Sequence, residues 1–348
     1  MKENISAQQF IAESKDNIIV DVRTPLEYEN GHIIGAFNIP LFSNEERAVV
    51  GTIYKKVNKE KAVEKGLEFV GVRMADMVKS ARKLLKKKGC SKIYIYCWRG
   101  GMRSNSVAWL FQTAGMDVEV LKGGYKAYRG SFIELLKQEA WKLIVVGGPT
   151  GCGKTTLLNA LIEKGEQVVD LEGIANHMGS AFGKCRIKEP QPTSEHFANL
   201  LYDELLKFDK NRYIWCEGES LSIGRVFMPQ EFFLIMQKSP FIYYEIPRED
   251  RLDNIMLDYG QCSKEFLIEC FDRIKKRLGF DNAKNAIELV ENGDIRGAAD
   301  IAMKYYDKGY AKSIGDKEKT AIAKVEMESS DIALAVAKVI EIKIKNNL

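Results

Sequence analysis

Gly148-Pro149-Thr150-Gly151-Cys152-Gly153-Lys154-Thr155 fits G-x-x-x-x-G-K-[ST] in full, and its setting restricts the fold more than any other segment. The apolar run Lys142-Leu143-Ile144-Val145-Val146 leads into it, and Thr156, Leu157, Leu158, Ala160 and Leu161 carry a helical pattern away. A strand, a glycine loop and a helix in that order curl backbone N–H groups around a di- or triphosphate. Gly148, Gly151 and Gly153 permit the curl, Lys154 neutralises the phosphates, and the Thr155 hydroxyl reaches a phosphate-bound Mg²⁺. Cys152 lies where loop side chains vary and takes no role.

The acidic half of this apparatus is less orthodox. The run Tyr213 to Cys216 ends in Glu217-Gly218-Glu219-Ser220, where a nucleotide hydrolase more often closes the strand with Asp. Glu217 and Glu219 are candidates to hold Mg²⁺ through water, and Asp170, closing an earlier strand, competes with them. Between these strands runs a polar, glycine-rich stretch with His177 and His196, both read as hydrogen-bonded residues near the surface. Phosphate binding therefore follows from the loop. ATP hydrolysis does not, and any diphosphate would suit it.

Upstream, Ile18 to Val22 reads as a strand. Met74, Met77, Val78, Ala81, Leu84 and Leu85 recur at helical spacing up to Gly89, Ile93 to Tyr96 is a second strand, a helix runs from Ser104 to about Thr113, and Val118 to Leu121 is a third strand. Tyr125 to Ala140 reads as a connecting helix. Beyond it, strands are expected at Gln167 to Asp170, Tyr213 to Cys216 and Phe241 to Ile246, with helix dominating from Lys264. A chain of 348 residues that is 45% hydrophobic exceeds one small core. The expected fold class is α/β: an N-terminal domain over 1–130, a linker helix over 131–140, and a parallel-sheet domain over 141–348 with a helical C-terminal region.

Cys97 closes the second strand and opens Cys97-Trp98-Arg99-Gly100-Gly101-Met102-Arg103-Ser104, which leads into a helix. A loop wrapped onto a helix N-terminus aims backbone N–H groups at one point, where the dipole also favours negative charge. A thiol there has a lowered pKa. Gly100 and Gly101 allow the turn, and Arg99 and Arg103 add positive charge for an anionic group on or near the sulfur. Cys90, Cys216, Cys262 and Cys270 have nothing beside them to activate a thiol. Cys185, beside Lys184 and Arg186, is a lesser candidate.

With 29% charged residues, 8 Pro and 28 Gly, the composition excludes a disordered or collagen-like chain. No apolar run approaches the roughly 20 residues of a membrane span, and MKENISAQQF lacks a signal-peptide core. Seven scattered cysteines do not read as a disulfide framework. The expectation is a soluble, cytoplasmic protein with no membrane partner. Residues 1–130 hold 22 Lys and Arg against 14 Asp and Glu, and the remainder 30 against 34. Seven basic residues fall between Lys79 and Lys92. They read either as a solvated helix face or as a surface for an anionic partner such as RNA. His32 has no Cys or His at ligand spacing, so no protein-held metal centre is expected.

Asp21-Val22-Arg23, then Gly31-His32-Ile33-Ile34-Gly35-Ala36-Phe37-Asn38-Ile39-Pro40, then the Cys97 loop, resemble the rhodanese (sulfurtransferase) domain. In that family the loop cysteine carries a persulfide or an equivalent chalcogen. Cys97 and Arg103 are separated by five residues, where many rhodaneses have four. That spacing also resembles the phosphate-cradling loop of cysteine phosphatases, although Tyr96 stands where those have His. A rhodanese-like part followed by a P-loop NTPase-like part resembles the tRNA 2-selenouridine synthase family, whose pattern includes the longer cysteine loop. The likeness extends through Leu121-Lys122-Gly123-Gly124-Tyr125-Lys126-Ala127-Tyr128-Arg129, Leu171-Glu172-Gly173-Ile174-Ala175-Asn176-His177, Gln191-Pro192-Thr193, Glu217-Gly218-Glu219-Ser220, Ile223-Gly224 and Tyr305-Tyr306-Asp307.

The resemblance implies an enzyme that replaces the sulfur of wobble 2-thiouridine in tRNA with selenium from selenophosphate. It further implies an S-geranyl intermediate made from geranyl diphosphate. Selenophosphate and geranyl diphosphate would be co-substrates with Mg²⁺, the tRNA anticodon region the partner in place of DNA, and a selenophosphate-producing enzyme a further partner. Cys97, Arg99 and Arg103 would serve the selenium step and the P-loop the prenyl diphosphate. Lys83, Lys86, Lys87, Lys122, Lys126 and Arg129 become candidate tRNA contacts. Phe227, Met228, Phe232, Phe233 and Met236 could line a geranyl pocket, but their helical spacing reads first as core. The rivals are a rhodanese-type sulfurtransferase coupled to an ATP-dependent P-loop enzyme and a non-catalytic RNA-binding module.

Overall fold

The computed structural model describes residues 3–138, 140–178, 182, 189–319 and 321–348, with residues 311–319 described by their backbone alone. Cys185, with Lys184 and Arg186, lies outside the described residues. The chain divides into two compact units, Met1–Gln138 and Glu139–Leu348.

The first unit runs through α1 (Ala7–Ser14), β1 (Ile18–Asp21), α2 (Pro25–Asn30), β2 (Phe37–Asn38), α3 (Asn44–Lys56), α4 (Lys59–Gly71) and α5 (Met74–Lys88). It continues with β3 (Lys92–Tyr96), α6 (Met102–Thr113), β4 (Asp117–Val120) and α7 (Gly124–Gln138). The strands form a parallel sheet in the order β2-β1-β3-β4. Alternate side chains leave a strand on opposite faces. Ile18, Val20, Ile93 and Ile95 meet Met77 and Ala81 of α5 and Val107, Ala108 and Phe111 of α6 in one core. On the other face Tyr94 and Tyr96 stand edge-on to Phe10 of α1, and Tyr96 stacks on Tyr125 of α7. Helix α5 stops where Gly89 turns left-handed at φ 67° and returns its N–H to the Leu85 carbonyl. Helix α7 buries Tyr125, Tyr128, Phe132 and Leu136 along one stripe. Residues 131–138 are thus the second half of a first-unit helix, correcting the expected separate linker.

Asp21 and Arg23 form a buried ion pair at 2.7 Å, and Arg23 also donates to the Gly31 carbonyl and lies 3.9 Å over the Tyr125 ring. Removing one partner of such a pair strands a buried charge, at a cost of about 3–5 kcal/mol. The Asp21-Val22-Arg23 segment therefore holds the frame together. His32 stacks on Tyr28 and bonds its carbonyl, so it ties the Gly31 turn to α2.

The second unit opens with β5 (Leu143–Gly147), α8 (Lys154–Glu163), β6 (Gln167–Val169), α9 (Leu171–Ile174), α10 (Ser194–Leu205) and β7 (Ile214–Glu217). It continues through β8 (Ser222–Ile223), β9 (Val226–Phe227), α11 (Gln230–Lys238), β10 (Phe241–Glu245), α12 (Arg248–Tyr259) and α13 (Lys264–Leu278). It ends with α14 (Phe280–Glu291), α15 (Ile295–Lys319), β11 (Ala323–Glu326) and α16 (Ile332–Lys345). Its parallel sheet has the order β11-β10-β5-β7-β6. Ile144, Val146, Ile242 and Tyr244 pack with Leu157, Leu158 and Leu161 of α8 and Val336 and Val339 of α16. Helix dominates after Lys264, as its periodicity implied, with one exception. Strand β11 breaks in as an edge strand with only Val325 buried, too short and polar to stand out in the sequence.

Among the described residues no helix is long and apolar enough to cross a membrane, and no group of three His, Cys, Asp or Glu residues is placed to hold a metal ion. Cys90, Cys97, Cys152, Cys216 and Cys270 are free thiols. Cys262, read as an ordinary core position, is disulfide-bonded.

Candidate active sites

Strand β3 delivers Cys97 to the carboxyl end of its sheet, and residues 97–101 turn from there into α6. The turn is clamped by a second glycine turn. Gly100 and Gly124 have φ 63° and 61°. A Cβ on Gly100 would stand 2.4 Å from the Leu121 carbonyl oxygen, and one on Gly124 2.3 Å from that of Cys97. The Tyr125 and Lys126 N–H groups donate to the Cys97 and Trp98 carbonyls at 2.8 and 3.0 Å. With these carbonyls tied back, the Ser104 and Arg99 N–H groups act on the sulfur.

Cys97 is 3% exposed. Burial pushes its thiol up, but the Ser104 hydroxyl, the Arg103 charge and the two N–H groups outweigh burial and hold it below the ordinary thiol value. The Ser104 hydroxyl lies 3.2 Å from Cys97 Sγ and donates to the Gly101 carbonyl at 3.1 Å. Its one proton can turn to the sulfur when the thiol ionises. Ser104→Ala should therefore raise the pH midpoint of Cys97 alkylation by iodoacetamide, read peptide by peptide by mass spectrometry. Equal midpoints would remove Ser104 from this role.

Arg103 is gripped by Glu27 of α2 through two bonds of 2.7 and 3.1 Å, so it reaches the sulfur through its charge while α2 fixes its direction. Arg99 is exposed beside the loop. Lys83, Lys86 and Lys87 are exposed on α5. Lys122 and Lys126 are exposed, and Arg129 half-buried, around the start of α7. Within the basic stretch, Lys79 pairs with Asp76 and Lys92 with Glu119.

In the second unit, β5 runs into the P-loop and α8 leaves it. Gly151 and Gly153 take φ 80° and 81°. A Cβ on Gly148 would stand 2.0 Å from the Tyr244 carbonyl oxygen, and one on Gly151 2.7 Å from that of Arg251. The loop is thus pressed between β10 and α12, where only glycine fits. Arg251, 5% exposed, donates to the Thr150 carbonyl at 2.9 Å and pairs through both terminal nitrogens with Asp307 of α15. Asn254 donates to the Gly151 carbonyl. Lys154 rests on the Gly148 carbonyl at 3.0 Å. Burial works against its charge, but Cys152, Glu172, Glu219 and Glu217 around it hold its pKa above the ordinary value.

The loop opens on a cleft of about 1040 Å³, lined by Lys154, Thr155, Asp170, Glu172 and Glu219 among others. Of the three acids proposed from sequence, Asp170 and Glu219 reach this cleft. Glu217 lies fully buried beside it: one oxygen accepts the Leu171 N–H at 3.1 Å and the other has no hydrogen-bond partner. Burial, with the Asp170 charge nearby, pushes Glu217 far toward its neutral form, which disfavours it as a direct cation ligand. Glu172, not singled out by spacing, takes its place. Burial pushes Glu172 up to about 8, reinforced by Glu219 and Asp170, and burial pushes Glu219 up as well. One or two carboxylates, a hydroxyl and substrate phosphates are the donor set Mg²⁺ favours, and Thr155 with Asp170 fits it, Glu172 and Glu219 joining where a bound cation holds them ionised.

Phe232, Met228 and Met236 are core, as their spacing suggested. Phe227 is exposed, and Phe233 lines the cleft with His177. Nothing in the sequence pointed to Arg251, whose partners lie about a hundred residues upstream and fifty downstream.

Residues 6–131 match the rhodanese-like domain family, and residues 141–338 match the tRNA 2-selenouridine synthase AAA domain family. A tRNA 2-selenouridine synthase of Bdellovibrio bacteriovorus is 39% identical over 265 residues, covering 74% of this chain and 68% of that protein. One of Shewanella denitrificans is 31% identical over 340 residues, covering 88% and 90%. The N-terminal domain of an ATP/GTP-binding protein from Clostridium difficile 630 is 43% identical, with a TM-score of 0.35, covering 37% of this chain and 98% of that one. With one family's model matching more than half of a chain that carries an activated thiol in its first unit and a complete phosphate loop in its second, and with relatives of that name more than 30% identical over most of it, the chain belongs to the tRNA 2-selenouridine synthase family.

Proposed function

We propose that the protein modifies wobble 2-thiouridine of tRNA in two steps, prenylation in the second unit and selenation in the first. The relatives are tRNA 2-selenouridine synthases. In the first step the thiocarbonyl sulfur attacks C1 of geranyl diphosphate, the C1–O bond breaks, diphosphate leaves and N3 gives up its proton. The P-loop N–H groups and Lys154 hold the diphosphate as its charge grows. Mg²⁺, held by Thr155 and the neighbouring carboxylates, would stabilise the same charge. In the second step selenium of selenophosphate attacks C2 and geranyl thiol leaves, because alkylation has turned sulfur into a good leaving group. The Cys97 thiolate then attacks phosphorus of the Se-phosphorylated nucleoside, the P–Se bond breaks, and water later hydrolyses the phosphocysteine.

The observation that carries this reading is Cys97, its thiol held below the ordinary value in the loop between β3 and α6, in a chain that also holds a complete P-loop. Nucleoside mass spectrometry of 2-thiouridine tRNA incubated with the protein, geranyl diphosphate and selenophosphate tests it. Selenouridine is the expected product. Unmodified tRNA, with thiosulfate turnover and ATP hydrolysis instead, would favour a sulfurtransferase coupled to an ATP-dependent unit.

The exposed lysines of α5 and α7 supply phosphate contacts in this reading. tRNA affinity should fall steeply with salt, and replacing Lys83, Lys86 and Lys87 by Ala should flatten the log–log slope by about one per lysine in a filter-binding series. An unchanged slope would assign those lysines to solvation alone.

A further inference from the structure

Beside the P-loop, α12, α13, α14 and α15 enclose a second cavity of about 40 Å³. Its walls are apolar, including Met256 of α12, Phe271 of α13, Val290 of α14 and Ala299 and Met303 of α15. Thr150 of the P-loop, Ile255, Tyr259 and Tyr306 line both this cavity and the phosphate cleft, so the two are contiguous. The Arg251 bridge from Thr150 to Asp307 fastens the helices that form the cavity to the loop that holds phosphate. A nucleotide base would need polar partners at such a place. A hydrocarbon would not.

We propose that this cavity receives the apolar tail of the prenyl diphosphate whose diphosphate sits in the P-loop, and that its depth sets the preferred tail length. The inference rests on the prenyl-diphosphate reading above and adds a site to it. The cavity has room for a few water-sized groups, on the order of 10–15 Å³ each, so it takes the end of the tail while the rest lies in the cleft. Ala299 faces Leu252, Ile255 and Met303 in a small apolar cluster, and a larger side chain there occupies the space the tail needs. Removing or adding one methylene's room in an apolar pocket changes discrimination by roughly 10- to 200-fold.

Isothermal titration of the full chain with Mg²⁺ and, in turn, inorganic pyrophosphate, dimethylallyl, geranyl and farnesyl diphosphates tests the site. For the wild type, geranyl diphosphate should bind at least about tenfold more tightly than pyrophosphate. Ala299→Leu should lose most of that gain and keep the pyrophosphate affinity, while Met256→Ala should extend the gain to farnesyl diphosphate. Wild-type geranyl affinity in Ala299→Leu would overturn the tail site and leave the prenyl reading standing. Geranyl diphosphate no tighter than pyrophosphate in the wild type would overturn both. Should Ala299→Leu lose pyrophosphate binding through misfolding, Met256→Ala decides: a gain for farnesyl diphosphate supports the site and an unchanged preference overturns it.

Discussion

Cys97→Ser should stop selenouridine formation by at least about 10³-fold while S-geranyl-2-thiouridine, and its Se-phosphorylated successor where selenium attack still proceeds, accumulate in the tRNA. The substitution keeps the size of the side chain and the neighbouring bonds, but a hydroxyl stays protonated where the thiol ionises. Ser104, the Arg103 charge and the loop N–H groups lower a thiol's pKa usefully because it starts within reach of neutral pH. A serine starts too high for the same surroundings to help. Prenyl transfer, assigned to the other unit, serves as the internal control for folding. Nucleoside mass spectrometry reads both products from one digest, and undiminished selenouridine would remove Cys97 from the chemistry.

Lys154→Ala should lower both products, with prenyl transfer falling roughly 10²–10³-fold, the scale expected on deleting one preorganised electrostatic partner of a growing negative charge. Lys154 is the cation among Glu172, Glu219 and Glu217. Its removal withdraws an attraction and leaves the remaining carboxylate charge of the cleft opposing a diphosphate. The selenium step should survive, so tRNA already carrying S-geranyl-2-thiouridine should still be converted by the variant. Near wild-type prenylation would sink the assignment of diphosphate to this loop, and failure on the pre-alkylated tRNA would tie the loop to both steps.

The parts that could be read from the chain are those written in contiguous residues. Gly148 to Thr155 and Cys97 to Ser104 each hold strand end, turn and helix start within eight positions, and both fold as their spacing implies. What escaped reading is made by residues that meet only after folding. Glu27 orients Arg103 across 76 positions, Glu172 meets Glu219, and Arg251 joins Thr150 to Asp307. Each is an ordinary charged residue in its own helix or turn, with no local pattern to mark it. Glu217 shows the converse: its place after an apolar run marks it as an acid of the phosphate site, and complete burial takes that role away. Strand β11 was hidden because an edge strand with one buried side chain carries almost no periodicity.

Helix α15 is also the return leg between β10 and β11, and its length has a geometric meaning. Tyr310 stands beside Gly147 and Tyr243 at the carboxyl end of the sheet, whereas the Ile322 N–H bonds to Phe241 at the amino end. At 1.5 Å per residue the helical part from Tyr310 to Lys319 covers about 14 Å, back along the strands toward that end. The first part of the same helix, through Ile295, Ala298, Ala299, Ala302, Met303 and Tyr306, walls the apolar cavity, while its last part serves the return to β11. With the proposed tail site there, mutational drift in the first part of α15 would reshape what the cavity accepts while the part that returns the chain to β11 stays unchanged.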